Sequence, residues 1–223
     1  MATLFLIRHG LTAKTGRVLY GRLDGVPLDE RGQAQAERLV ERFRRVNLTA
    51  IYSSPLERCV ETVAPLAAAQ RLKVVTREEL IEMDAGTWTG KTLAAVRRRA
   101  AWKVIQEAPG SFRFPGGESF PEAADRVIAE LERIAKRHRR GRVAVATHGD
   151  IVRIALSHLV GAPLDRFQRG VVDTASVSVV HLGGDMPRVL MVNDTGLGLE
   201  RFGPGRAQPP WDAGKRPRAN LRG

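Results

Sequence analysis

Two segments of the 223-residue chain share one design, an apolar run that passes directly into a histidine and a glycine: Leu4-Phe5-Leu6-Ile7-Arg8-His9-Gly10 and Val143-Ala144-Val145-Ala146-Thr147-His148-Gly149. A neutral imidazole is a nucleophile or proton acceptor, and a charged one donates to anionic oxygen. Arg8 precedes the first histidine, and Arg58 follows a third apolar run at residues 50–53. Guanidinium groups are planar and match the oxygens of a phosphoryl group in pairs. The glycines leave room for a bound group to approach the backbone. A single histidine in such a turn is ordinarily structural; two imidazoles with two guanidiniums describe a phosphate site.

These residues can meet only if the chain brings strand ends together. Apolar runs at 3–7, 50–53, 73–76, 143–147, 176–182 and 188–192 predict strands, several of them rich in Val and Ile. Helical spacing separates them at 33–43, 56–69 and 122–135, the last placing Ala124, Val127, Ile128, Leu131 and Ile134 on one face. Alternation of this kind predicts a single α/β domain with a mostly parallel central sheet flanked by helices. In such sheets ligands bind just beyond the C-terminal strand ends, which is where both histidines fall. Ser54, Pro55 and Glu57 read as a capping box that opens a helix and sets Arg58 in its first turn, where free backbone N–H groups also favour anions.

Composition bounds the setting. With 43% hydrophobic residues the chain can bury a core of its own. Its single cysteine excludes an internal disulfide and points to a reducing, cytoplasmic location; no paired Cys/His spacing suggests zinc. No leader pattern and no apolar stretch of membrane-spanning length is seen, so a membrane partner is not expected. The net charge of +12 raises nucleic acid as a partner, but no helix-turn-helix, zinc-finger or RNA-binding signature supports it and aromatics are few. Part of the excess is local. Residues 203–223 carry a net +4 in a Pro/Gly-rich stretch expected to be a flexible tail after a domain spanning 1–202. Cys59 does not fit a cysteine phosphatase, whose loop needs an arginine six residues on; position 65 is proline. The basic runs at 97–99 and 136–140 read as helix faces or ends, the first also as a candidate rim for a second anionic group.

Arg8-His9-Gly10, then Ser53-Ser54-Pro55-Leu56-Glu57-Arg58 continuing through Thr62, Leu80-Ile81-Glu82, and Thr147-His148-Gly149 occur in this order, reinforced by residues 28–32 and 86–90. Together they resemble the histidine phosphatase (phosphoglycerate-mutase-like) superfamily from residue 3 to about 195. The segments Phe114-Pro115-Gly116-Gly117-Glu118-Ser119 and 167–173 resemble a branch of phosphomutases and phosphatases. The resemblance implies a phosphoglycerate-mutase-like fold and a phosphomonoester hydrolase acting on a small phosphorylated metabolite. It also implies that no metal or other cofactor is needed. His9 would form a phosphohistidine; Arg8, Arg58 and His148, the last as a cation, would hold the phosphoryl oxygens; Glu82 would serve as acid and then base. Thr12, Thr15, Tyr20, Gly21 and Gly149 would line the substrate site.

The chain departs from the family pattern at Leu11, where many relatives carry glutamate, and at Thr15, where many carry asparagine. The alternatives are a phosphomutase, which returns the phosphoryl group to its product, and a polyanion-binding or regulatory pseudoenzyme. The short segment between Gly90 and Thr147 favours hydrolysis over mutase action. A homodimer is allowed for.

Overall fold

The computed structural model describes residues 1–183 and 186–197; the basic tail falls outside the described residues. Six strands form one sheet in the order β4-β3-β6-β1-β7-β8. They are β1 (Ala2–Arg8), β3 (Ala50–Ser53), β4 (Val74–Thr76), β6 (Arg142–Thr147), β7 (Val177–Leu182) and β8 (Arg188–Asp194). The pairs β3/β4, β3/β6 and β1/β6 are parallel, while β7 and β8 return antiparallel. The expected α/β domain and its strands are therefore present within a residue or two. A two-stranded ribbon of β2 (Val18–Leu19) and β5 (Lys91–Thr92), not anticipated, ties the loop after β1 to the segment after Trp88.

The sheet is covered on both faces because its central strands are apolar on both, as parallel strands must be. On one side Ile7, Ile51, Ala144 and Ala146 pack against α1 (Glu30–Arg42) and α2 (Glu57–Gln70) through Leu39, Val63 and Leu66. On the other, Leu4, Leu6, Val143 and Val145 pack against α5 (Phe120–Arg137) and α6 (Gly149–Leu159), with Val127, Leu131, Ile134, Ile151 and Ile154 facing inward. α5 begins with a full capping box, Ser119 and Glu122 bonding each other's backbone N–H groups. Two short helices, α3 (Leu93–Arg97) and α4 (Ala100–Glu107), lie between β5 and α5. An aromatic cluster of Trp88, Phe112, Phe114, Phe120 and Phe167 anchors this region to the core.

The helix expected after Ser54 starts later, with Leu56 at its N-cap and no side-chain capping bond. The Ser54 hydroxyl accepts from Leu56 N–H at 3.3 Å and lies 2.8 Å from His148 Nε2, so the predicted capping box is not formed. Arg58 does lie in the first turn, as anticipated. Of the face expected on α5, Ala124 and Ile128 are only partly buried, and Phe120, Ala123 and Ala135 carry the rest of the contact.

Beneath the first catalytic-looking loop, α1 comes so close that a Cβ at Gly32 would sit 2.0 Å from the carbonyl oxygen of Leu11. Helix propensity alone would make Gly32→Ala stabilising by about 1 kcal/mol. The clash is with backbone that Asp29 N–H also uses, so the loop must shift. We expect net destabilisation by about 1–3 kcal/mol, read from urea unfolding; a neutral or stabilising result would contradict this packing.

Candidate functional site

The register of β1 and β6 places Arg8 opposite Thr147. His9 and His148 therefore leave the sheet side by side, and their rings lie 5.4 Å apart, edge to face. His9 N–H donates to the Thr147 carbonyl, fixing the level of the two turns. Both side chains are buried.

The tautomer of His9 follows from its neighbour. Nδ1 is 2.7 Å from the Gly10 carbonyl oxygen, which can only accept, so Nδ1 carries the proton and Nε2 presents a lone pair. Burial, and then the charges of Arg8 and Arg58, hold the ring well below the ordinary histidine range, so it is neutral. The Tyr20 hydroxyl lies 3.3 Å from Nε2 and donates to that lone pair. Gly10 N–H is bound by the Thr62 hydroxyl at 2.8 Å, a contact from α2 that steadies the turn.

The guanidiniums flank this ring. Arg58 is fully buried; it lies over the Tyr20 ring at 4.7 Å and donates to the carbonyls of Gly21 (2.8 Å) and Leu23 (3.3 Å). Arg8 donates through Nη1 to the Val172 carbonyl at 2.7 Å. The Nε of each arginine is buried with no hydrogen-bond partner among the described residues. Buried donors of this kind are costly unless something accepts from them, and a phosphoryl dianion is an acceptor of the right charge and shape. Gly149 is what admits Arg8: a Cβ there would stand 3.1 Å from its Nε.

Around His148, burial first and then Arg58 push the ring well below the ordinary histidine range, which favours its neutral form; the cation was expected beside a bound phosphoryl group. Glu82 Oε2 approaches its Nδ1 at 3.9 Å, too far for a hydrogen bond, and burial raises Glu82 to about 7 with Asp150 adding to the effect. The pair is therefore not an ion pair near neutrality. Glu82 Oε1 accepts from Met83 N–H at 3.0 Å, which orients the carboxyl. A carboxyl that titrates near neutrality can both give and take a proton.

Thr12 and Thr15 close the loop after His9. Thr15 Oγ1 accepts from Thr12 N–H and meets Thr12 Oγ1, both at 3.0 Å. Thr15 thus braces the loop. Gly21 adopts φ +46°, a left-handed conformation that suits glycine and directs its carbonyl to Arg58. Sequence reasoning missed Ser54 as a partner of His148, Thr62 as a partner of the turn, and Asp150 as a neighbour of Glu82. Only Asp150, directly after His148-Gly149, had a local signal in the sequence. Cys59 lies within 3.5 Å of His148 Nε2, but burial drives its thiol up to about 12, which leaves it un-ionised and inert. The basic run at 97–99 is exposed, with Arg99 over the Trp88 ring.

Because Glu82 is raised from its ordinary 4.5 to about 7, the folded state binds its proton more tightly than the unfolded state does. Its stabilising contribution is complete below about 4.5 and is lost as pH rises through about 7. Glu82→Gln should therefore stabilise the protein by about 1–3 kcal/mol at about pH 8 and by less at about pH 5, as read by urea unfolding at both pH values. A pH-independent difference would contradict the burial of a titrating carboxyl here.

The model of the histidine phosphatase superfamily (branch 1) matches residues 4–195. Phosphoserine phosphatase 1 of Hydrogenobacter thermophilus is 34% identical over 197 residues, covering 87% of this chain and 93% of that protein. The metal-independent phosphoserine phosphatase of Arabidopsis thaliana is 33% identical over 186 residues, covering 80% and 76%. Among solved structures, YhfR of Bacillus stearothermophilus superposes with a TM-score of 0.82 at 29% identity, covering 87% of this chain and 98% of that one. With the family model spanning every loop of the histidine–arginine pocket and most of the chain, the chain belongs to the histidine phosphatase superfamily.

Proposed function

We propose that this protein hydrolyses a small phosphomonoester through a phosphohistidine on His9, without a metal ion. The observation that carries the reading is the neutral His9 ring, with Nδ1 tied to Gly10 and the Nε2 lone pair set among two buried guanidiniums. In the first step Nε2 attacks phosphorus, the ester P–O bond breaks, and protonated Glu82 gives its proton to the leaving oxygen. In the second, ionised Glu82 takes a proton from water, the oxygen of that water attacks phosphorus, and the P–N bond breaks to release inorganic phosphate and neutral His9. Arg8 and Arg58 meet the equatorial oxygens, and their fixed positive charge offsets the charge that develops there. His148 gains a proton only once the dianion is bound beside it. The named activity of the two curated relatives makes phosphoserine the first substrate to test.

Wild type in excess EDTA should hydrolyse an aryl phosphate and phosphoserine, and His9→Ala should lose both by at least about 1,000-fold, in line with the loss of a covalent nucleophile. A denaturing quench at alkaline pH should trap a labelled phosphoenzyme in the wild type alone, stable to base and lost on acid treatment. Because the acid must be protonated, kcat/KM for phosphoserine should fall above about pH 7, the value set by Glu82. Activity that survives His9→Ala would sink the reading.

A further inference from the structure

The segment that carries Glu82 has no regular structure to hold it. It runs between a 3-10 turn at Glu78–Leu80 and another at Gly86–Trp88, so its backbone carbonyls need partners from elsewhere. Two arginines supply them. Arg126, from α5, donates through Nη1 to the carbonyls of Glu79 (2.7 Å) and Ile81 (3.0 Å). Arg22, from the loop after β2, donates through Nε to the carbonyl of Glu82 itself at 3.0 Å.

Both arginines end on one carboxylate. Arg126 grips Glu118 with two parallel bonds of 2.9 Å, and Arg22 Nη2 reaches Oε2 of the same group at 3.2 Å. The Glu118 side chain is 11% exposed and that of Arg126 17%, so solvent screens this fork far less than a surface pair. Backbone bonds close the unit: Glu118 N–H donates to the Asp84 carbonyl at 3.0 Å, and Thr87 N–H to that of Pro115 at 2.9 Å. The approach is so tight that a Cβ at Gly117 would stand 2.3 Å from the Asp84 oxygen, and one at Gly86 2.2 Å from that of Pro115.

We infer that Glu118 is a positioning residue for Glu82: through Arg22 and Arg126 it sets the backbone from which the acid–base carboxyl reaches the leaving oxygen. The inference rests on the phosphohistidine reading, in which Glu82 moves the proton. Proton transfer demands tight geometry, and loss of the shared carboxylate frees both guanidiniums to release the carbonyls they hold.

A positioning role has a signature that general damage lacks. An aryl phosphate whose leaving group departs as the anion needs no acid, whereas phosphoserine, an alkyl ester, does. Measured as kcat/KM, which reports the leaving-group step, Glu118→Gln and Arg22→Met should each reduce phosphoserine turnover about tenfold or more and aryl phosphate turnover less than about threefold. In a Glu82→Gln background, Glu118→Gln should cost phosphoserine turnover nothing further. Equal losses on both esters, no loss on either, or an additive loss in the double variant would overturn the role. Should Glu118→Gln fail to fold, Arg22→Met decides alone, since the Arg22 side chain is 35% exposed and its removal leaves the Arg126 fork in place. His9→Ala run alongside separates the two ideas. Full activity in that variant refutes the phosphohistidine reading, while a dead His9→Ala beside ester-independent losses refutes only the role of Glu118.

Discussion

The parallel pairing of β1 with β6, Arg8 opposite Thr147, is the constraint on which the rest of the structure depends. It sets two histidines from segments far apart in the chain at one level and one ring-width apart. A slip of one residue would carry His9 about 3.3 Å along the strand and turn its side chain to the other face. The register is held from both sides: Ile7 and Ala146 cannot leave the α1/α2 layer, nor Leu4, Leu6 and Val145 the α5/α6 layer, without exposing apolar surface. The residues that fill the two core layers thus fix where the site residues at the strand ends fall.

On that frame the electrostatics run in one direction. Burial and mutual repulsion keep His9 and His148 neutral and raise Glu82, while Arg8 and Arg58 stay charged with donors unmatched. Fixed cations among titrating groups pushed toward neutrality suit the dianion proposed above, and they cost stability where nothing balances their charge. This is the usual tension between folding and function. The neutral form of His148 follows from the same balance of burial and neighbouring positive charge.

Much of this was legible in the residues. The strands, the two His-Gly turns and Arg58 at a helix start came from local patterns that tertiary packing reinforces. Ser54 shows where that logic fails, since a serine three residues before a glutamate satisfies the capping-box pattern, yet its hydroxyl accepts from Leu56 N–H and meets a buried imidazole 94 positions away. The Glu118 fork was invisible for a related reason. Its bonds join residues 22, 82, 118 and 126 across three elements, and nothing in local spacing couples them. Thr15 was expected from its position to line the substrate site; position alone did not indicate the bonds that couple its hydroxyl to Thr12 within the same loop.

The Tyr20 hydroxyl on Nε2 of His9 gives the resting protein a property of its own. On the phosphohistidine reading proposed above, the lone pair is occupied before any ester arrives, so the nucleophile is masked from stray electrophiles and must be uncovered by whatever binds. A buried hydrogen bond of this kind is worth about 0.5–1.5 kcal/mol net, and every ligand gives up that much on entering unless it offers the phenol a new acceptor. A phosphoryl oxygen can accept from that hydroxyl and an apolar group cannot. The unmasking step therefore discriminates among visitors before bond-making begins, and the pocket sorts its ligands partly by what they return to Tyr20.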